Sequence, residues 1–157
     1  SSTLYSFALL QVRDEALLKV ACERACKRLN DFNAQDISNV VYAIGLLEFP
    51  HKRLFSELGQ LLCRPGRLHD FTAQGLGNIV YACGLLGCRD EPLLRAICEH
   101  SPTRLLEFTE QHISNMIWAL GLLAFAHRGF LKGLALHLPA MVSQFTVHGL
   151  LMATHGL

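Results

Sequence analysis

An excess of charge of either sign is nearly absent from this sequence. Lys and Arg number 14 and Asp and Glu 13, a formal net charge of +1 with His neutral. That excludes a nucleic-acid binder working by bulk charge, so any RNA contact has to come from a local surface. Charged residues are scarce overall, at 17% against 51% hydrophobic. A disordered chain needs the opposite balance. Long apolar runs are missing too. The longest, Met116 to Ala126, falls short of the ~20 residues a membrane helix requires, and no membrane partner is expected. The opening Ser1-Ser2-Thr3-Leu4-Tyr5 lacks the basic start and apolar core of a signal peptide.

Catalytic constellations are also lacking. Gly75-Leu76-Gly77 falls inside a helical pattern and is no phosphate loop, the eight His form no HExxH, and no Ser/His/Asp or Cys/His set has a supporting motif. The expectation is a protein without enzymatic activity, cofactor or small-molecule substrate. Six Cys (Cys22, Cys26, Cys63, Cys83, Cys88 and Cys98) fall mostly within apolar helical patterns. Cys22 and Cys26 share a helix face, but no second Cys/His pair stands nearby at zinc spacing. Buried thiols in a reducing compartment, with no metal, are expected.

What the chain does contain is itself, several times over. Phe32-Asn-Ala-Gln-Asp-Ile-Ser-Asn-Val-Val-Tyr-Ala-Ile-Gly-Leu-Leu47 returns as Phe71-Thr-Ala-Gln-Gly-Leu-Gly-Asn-Ile-Val-Tyr-Ala-Cys-Gly-Leu-Leu86. It returns again as Phe108-Thr-Glu-Gln-His-Ile-Ser-Asn-Met-Ile-Trp-Ala-Leu-Gly-Leu-Leu123, and a fourth copy begins at Phe145. Successive copies start 39, 37 and 37 residues apart. Leu4-Tyr5, Leu9-Leu10 and Arg13-Asp14-Glu15 match Val80-Tyr81, Leu85-Leu86 and Arg89-Asp90-Glu91 at a constant offset of 76, which makes the N-terminus part of an earlier copy. A period of this size is the signature of a repeat array.

Each unit carries two helical patterns and no strand alternation. The first, as in Thr72 to Leu86, opens on a good N-cap: Asn33, Thr72, Thr109 or Thr146. The second, as in Glu91 to His100, places Leu93, Leu94 and Ile97 on one face, with Pro92 in the first turn. Loops carrying Pro65-Gly66, Pro102 and Pro139 are expected between units. The predicted fold class is all-α: an α-solenoid of helical hairpins of 37–39 residues. Its units are a partial repeat 1–31, repeats 32–70, 71–107 and 108–144, and a partial repeat 145–157. Neither end resembles a polar capping repeat, so the chain is expected to be a stretch of a longer protein.

At about 100° per residue, one side of the first helix collects the core: Ile37, Val40, Val41, Ile44 and Leu47, with Leu76, Ile79, Val80, Cys83 and Leu86, and Ile113, Met116, Ile117, Leu120 and Leu123. The opposite side reads Gln35, Ser38, Asn39, Tyr42 and Leu46, then Gln74, Gly77, Asn78, Tyr81 and Leu85, then Gln111, Ser114, Asn115, Trp118 and Leu122. In the fourth copy His148, Met152 and His155 replace the Gln, Asn and aromatic residues. Ala43, Ala82 and Ala119 flank this stripe on one side and Gly45, Gly84 and Gly121 on the other. Interior helical Gly costs about 1 kcal/mol against Ala, so its recurrence predicts first helices packed too closely for a Cβ.

Stacked first helices would form a wall of amides and aromatic rings suited to single-stranded RNA. Amides bond base edges, and rings stack on bases at about 1–3 kcal/mol each. The same residues suit a purely structural role, with amides bonded between helices and rings filling gaps between units. One polar position varies, as Asp36, Gly75, His112 and Gly149, and is the better place to read sequence. Cations for phosphates lie in loops: Lys52, Arg53, Arg64, Arg67, Arg89, Arg104, Arg128 and Lys132, with His51, His69 and His127 beside some of them.

The recurring Phe-Thr-x-Gln-x-Ile/Leu-x-Asn-x-x-Tyr/Trp-Ala-x-Gly-Leu-Leu resembles the octotricopeptide repeats of algal organelle proteins. It is equally similar to the heptatricopeptide repeats of apicomplexan and related organelle proteins, and to the helical region of FAST-kinase-like proteins, over essentially the whole chain. The resemblance implies an RNA-binding α-solenoid of mitochondria, or alternatively plastids, acting in RNA processing, stability or translation or as a mitoribosome component. Many such proteins carry a C-terminal RAP domain, which is not present here. The expected partners are single-stranded RNA or rRNA and neighbouring proteins of a ribonucleoprotein. The alternative is a protein–protein scaffold within a large assembly, holding a peptide along the same wall.

Overall fold

A computed structural model of the chain describes residues 2–11 and 13–141. Among them, all regular structure is helical. Eight α-helices follow one another: α1 (Ser2–Leu9), α2 (Glu15–Arg28), α3 (Ala34–Leu46), α4 (Lys52–Leu62), α5 (Ala73–Leu85), α6 (Glu91–His100), α7 (Glu110–Leu122) and α8 (Arg128–Met141). Short 3-10 segments, Leu29–Asp31, Arg67–Asp70 and Ser101–Glu107, lead from second helices back to first ones. The described residues are all-α, as expected. The fourth copy, with Thr146, His148, Gly149, Met152 and His155, lies outside the described residues.

The helices start where their caps are. Asn33, Thr72 and Thr109 side chains accept hydrogen bonds from the backbone N–H groups of Asp36, Gly75 and His112, satisfying donors the first turn leaves free. Asp14 and Asp90 do the same for α2 and α6. His51 and His127 serve α4 and α8 through Nδ1. The first helices end alike. Glu48, Gly87 and Ala124 adopt positive φ of 49°, 62° and 48°, and the next residue donates back five positions, as in Phe125 N to Leu120 O at 2.9 Å. This is a Schellman-type stop. Gln11 after α1 shares the conformation, at φ 54°.

Contacts sort the helices into two layers. The first helices α1, α3, α5 and α7 pack side by side in chain order, and the second helices α2, α4, α6 and α8 do likewise. The core lies between, where the predicted apolar stripe is buried throughout except Leu86, which is half-buried. Small residues set the spacing of the first layer. An ideal Cβ on Gly45 would meet Ala82 Cβ at 2.7 Å, and one on Gly84 would meet Ala119 Cβ at 2.6 Å.

Three expectations need correction. Pro102 lies in the 3-10 segment Ser101–Glu107, and Pro139 inside α8 rather than in a loop. In the last turn of α8, Pro139 removes only one backbone donor, so the helix accommodates it. The thiols are not uniformly buried: Cys22, Cys26, Cys83 and Cys98 are, but Cys88 is half-buried and Cys63 exposed. Cys63 caps α4 at its C-terminal end and has left the apolar face of the helix.

Candidate nucleic-acid interface

The open face of the first-helix layer carries one aromatic ring per unit, and the rings meet. Tyr5 lies 6.4 Å from Tyr42, Tyr42 6.3 Å from Tyr81, and Tyr81 5.4 Å from Trp118, centroid to centroid, tilted by 30°, 42° and 40°. All four are half-buried. A base inserted between two rings needs about 7 Å, two layers of about 3.4 Å each. The ladder is too close for that. Its rings pack on one another and present their remaining surface to solvent as a continuous strip. Burial, and for Tyr42 also the neighbouring tyrosines, raises the phenol pKa values of Tyr42 and Tyr81. Both therefore stay protonated hydrogen-bond donors at neutral pH.

Amides border the strip on one side. Gln35, Gln74 and Gln111 stand exposed in the first turns of α3, α5 and α7, while Asn39, Asn78 and Asn115 are half-buried one helical turn on. Gln35 Nε2 donates to Asn39 Oδ1 at 2.9 Å. Among the described residues, no hydrogen bond joins the equivalent pairs of α5 and α7, and no amide ladder links neighbouring helices. Leucines border the strip on the other side: Leu9, Leu46 and Leu122 are 63%, 37% and 56% exposed.

Two predicted features of this face sit elsewhere. Ser38 and Gly77 are buried in the seam between first helices, and Ser114 is buried too, rather than standing on the open wall. Helix-to-helix contact is close enough there that only small side chains fit. Ser38 donates to the carbonyl of Ala34 at 2.8 Å, and Ser114 Oγ is buried without a partner. The variable polar position lies at the same seam. A Cβ on Gly75 would meet Ser38 Oγ at 2.6 Å, and Gly77 lies against His112. His112 is further held by its capping box: Nδ1 accepts from Thr109 N–H at 3.2 Å. Burial lowers its pKa. Asp36 is half-buried in the equivalent place.

The cations divide by partner. Arg67 and Arg104 act as staples within the fold. Arg67 donates to the carbonyl of Phe32 at 3.1 Å and pairs with Asp70 at 2.8 Å. Arg104 donates to the carbonyl of Phe71 at 2.9 Å and grips both Glu107 oxygens. Arg53 and Arg89 pair with Glu57 and Glu91 at 2.7 and 2.9 Å. Lys52, Arg128 and Lys132 are exposed at the starts of second helices. Arg64 is exposed and, among the described residues, donates only to the neutral Asn30 Oδ1, at 3.1 Å.

Nothing in the sequence singles out Arg24 and Lys27. On α2 they line, with Arg28, an open cavity of about 390 Å³ beside Leu4 and Phe32. Lys27 and Arg28 make a basic last turn, which helix dipoles favour in any protein. Among the described residues, no three His, Cys, Asp or Glu side chains come together as metal ligands, and no helix is long and apolar enough to cross a membrane.

A wall of uncharged hydrogen-bonding and stacking groups, edged by arginines, is the surface on which similarity to known proteins bears. No curated protein matches the chain in sequence. The family model described as "RNA-editing substrate-binding complex 6 protein" matches residues 1–152, and the chain belongs to that family.

Proposed function

We propose that the chain is part of an RNA-binding α-solenoid of the octotricopeptide or heptatricopeptide kind. On this reading it is a binding subunit, not an enzyme, of a ribonucleoprotein complex that edits or otherwise processes RNA in the mitochondrion. The family's name supports the complex and the RNA. The observation that carries the mode of binding is the unbroken Tyr5–Tyr42–Tyr81–Trp118 strip with exposed glutamines along it. Bases lie across the strip and bond the amides, while phosphates turn to the arginines at the edge.

A second reading, a protein scaffold, is favoured by one observation. The exposed Leu9, Leu46 and Leu122 form an apolar border that suits a partner's side chains better than a nucleic acid.

Fluorescence anisotropy with single-stranded RNA separates the two. Gln35→Ala/Gln74→Ala/Gln111→Ala changes only exposed positions, so the thermal melt should stay put while RNA affinity falls several-fold. Unchanged affinity in this variant sinks base recognition by the wall. Salt-independent binding, or none, points to the scaffold.

A further inference from the structure

We propose that Cys83 and Cys88 form a reversible redox pair: a hydroperoxide oxidises the Cys88 sulfur, and Cys83 resolves the product to a Cys83–Cys88 disulfide. The inference is independent of the RNA-binding reading.

The stop of α5 brings the two thiols together. Cys83 stands in the last turn of the helix, and the chain turns back over it through Gly87 at φ 62°. Cys88 N–H then donates to the Cys83 carbonyl at 2.9 Å. In a Schellman stop the two residues joined by this bond also bring their side chains into contact. The stops of α3 and α7 place an apolar pair there. Phe49 N–H donates to the Ile44 carbonyl at 3.2 Å, and Phe125 N–H to the Leu120 carbonyl at 2.9 Å. Ile44, Leu120 and Phe125 are buried, and Phe49 packs on the core. In α5 both places hold a thiol, and the two thiols hydrogen-bond to each other. They offer less apolar volume than an aliphatic group against a phenyl ring, and a chemistry that the neighbouring units lack.

Their surroundings divide the roles. Cys83 is fully buried and Cys88 half-buried, so a small oxidant from solvent meets Cys88. The hydrogen bond from the Cys83 thiol lowers the Cys88 pKa, outweighing burial and the Asp90 carboxylate, which raise it. The same bond, burial and the charges of Cys88 and Asp90 raise that of Cys83. Cys88 is therefore the sulfur that reaches the thiolate form, which is the form that reacts with oxidants. Cys63 supplies an internal reference. It is the more exposed thiol, but burial and Asp90 raise its pKa, and among the described residues no thiol bonds to it.

The chemistry closes within the pair. The Cys88 sulfur attacks the hydroperoxide: an S–O bond forms, the O–O bond breaks, and the alcohol leaves with the proton that the Cys88 thiol gave up. The Cys83 sulfur then attacks Cys88: the S–S bond forms, the S–OH bond breaks, and water leaves with the Cys83 proton. Both thiols are oxidised and the hydroperoxide is reduced. The helix need not open, because the thiols already meet. Gly87, with open space where a Cβ would stand, lets the turn adjust to an S–S bond of about 2.05 Å. A dithiol reductant reverses the bridge.

The test treats the full chain with tert-butyl hydroperoxide, alkylates it in denaturant and weighs its tryptic peptides. Cys83 and Cys88 fall in one peptide, Leu68 to Arg89, that holds no other cysteine. This peptide should lose two hydrogens, take up no alkylating agent, and regain both sites after dithiothreitol. The dose that converts half of it should be several-fold below the dose that oxidises half of Cys63. Cys83→Ala should leave Cys88 as a sulfenic acid that dimedone traps, and Cys88→Ser should leave Cys83 open to alkylation at doses that close the parental pair. A parental peptide that still takes two alkyl groups once Cys63 is oxidised overturns the proposal, whether or not the variants fold. Cys88 driven to sulfinic acid beside a free Cys83 overturns it as well, since Cys83 then does not resolve.

Discussion

Alanine at Gly84 should destabilise the protein, although alanine is the better helix former. Replacing an interior helical glycine gains about 1 kcal/mol from propensity. At this site the new Cβ would lie 2.6 Å from Ala119 Cβ and 2.8 Å from Ala119 Cα. Neither atom can swing away, because one is backbone and the other is fixed to it. Ordinary carbon contacts need about 3.5–4.0 Å, so α5 and α7 must part by roughly 1 Å. Overpacking of this kind costs typically about 1–3 kcal/mol. The separation also forfeits a quarter to a half of each contact along the seam. We expect a net loss of about 1–2 kcal/mol, a fall of roughly 2–8 °C in Tm for a chain of this length. Gly77→Ala is the internal control, in the same helix and with the same change. Its nearest neighbour, His112 Cβ, stands at 3.5 Å, an ordinary contact, so the propensity gain survives and Tm should rise by about 2–4 °C. Thermal melts followed by circular dichroism decide it. A Gly84→Ala protein as stable as the parent, or the same sign for both variants, refutes the close-approach account of the repeated glycines.

Other consequences follow from the same geometry. Ala124 holds a left-handed conformation at φ 48° that a non-glycine residue adopts at a cost of about 1–2 kcal/mol, so Ala124→Gly should raise the midpoint of urea unfolding, and a fall would contradict the assigned turn. Arg104→Ala should cost about 1.5–3 kcal/mol, because the Phe71 carbonyl loses a charged donor at 2.9 Å. Arg104→Lys should not restore it, since an ammonium cannot hold that carbonyl and both Glu107 oxygens at once. Burial lowers the His112 pKa, and burial with Arg104 and His69 lowers that of His100. Below about pH 6.5 the unfolded chain binds protons that the folded rings refuse. Stability should fall as pH drops from that point and level off once the folded values are passed. His112→Gln should flatten the slope of unfolding free energy between pH 7.5 and 5.5, and an unaltered slope would exclude His112 as a contributor.

The repeat made much of the fold legible. Period, apolar stripe and caps place α3, α5, α6 and α7 to within a residue or so, because three copies state the same local chemistry. The Gly–Ala seam was legible for the same reason: a costly residue recurring at one helical position demands a neighbour. What stayed hidden depends on the neighbouring unit. Helical angles put Ser38 on the outer stripe, yet it is buried against Gly75, since a single-helix projection cannot show how near the next helix comes. Nor could it show that Arg67 and Arg104 reach across 35 and 33 residues to backbone carbonyls. In the sequence they are loop arginines like Arg64, and only the partner distinguishes a staple from a free cation. The stops at Glu48 and Ala124 were hidden because only Gly87 carries the expected glycine.

Charge is distributed in a way that constrains how a nucleic acid could lie here. No Lys or Arg falls within α1, α3, α5 or α7. The close approach that brings successive rings to 5.4–6.4 Å leaves a face of short and flat side chains. Phosphates therefore find no counter-charge on the wall, and a bound strand has to straddle two surfaces, its bases on the strip and its backbone at the arginine edge. The two contributions differ in their response to salt, because only the second releases counterions. An oligonucleotide with an uncharged backbone and the same bases should keep the wall's share of the affinity and become indifferent to salt. It should still respond to Gln74→Ala. If the neutral strand does not bind at all, the wall contributes nothing by itself, and the aromatic strip is a packing device between repeats with its leucine border left for protein.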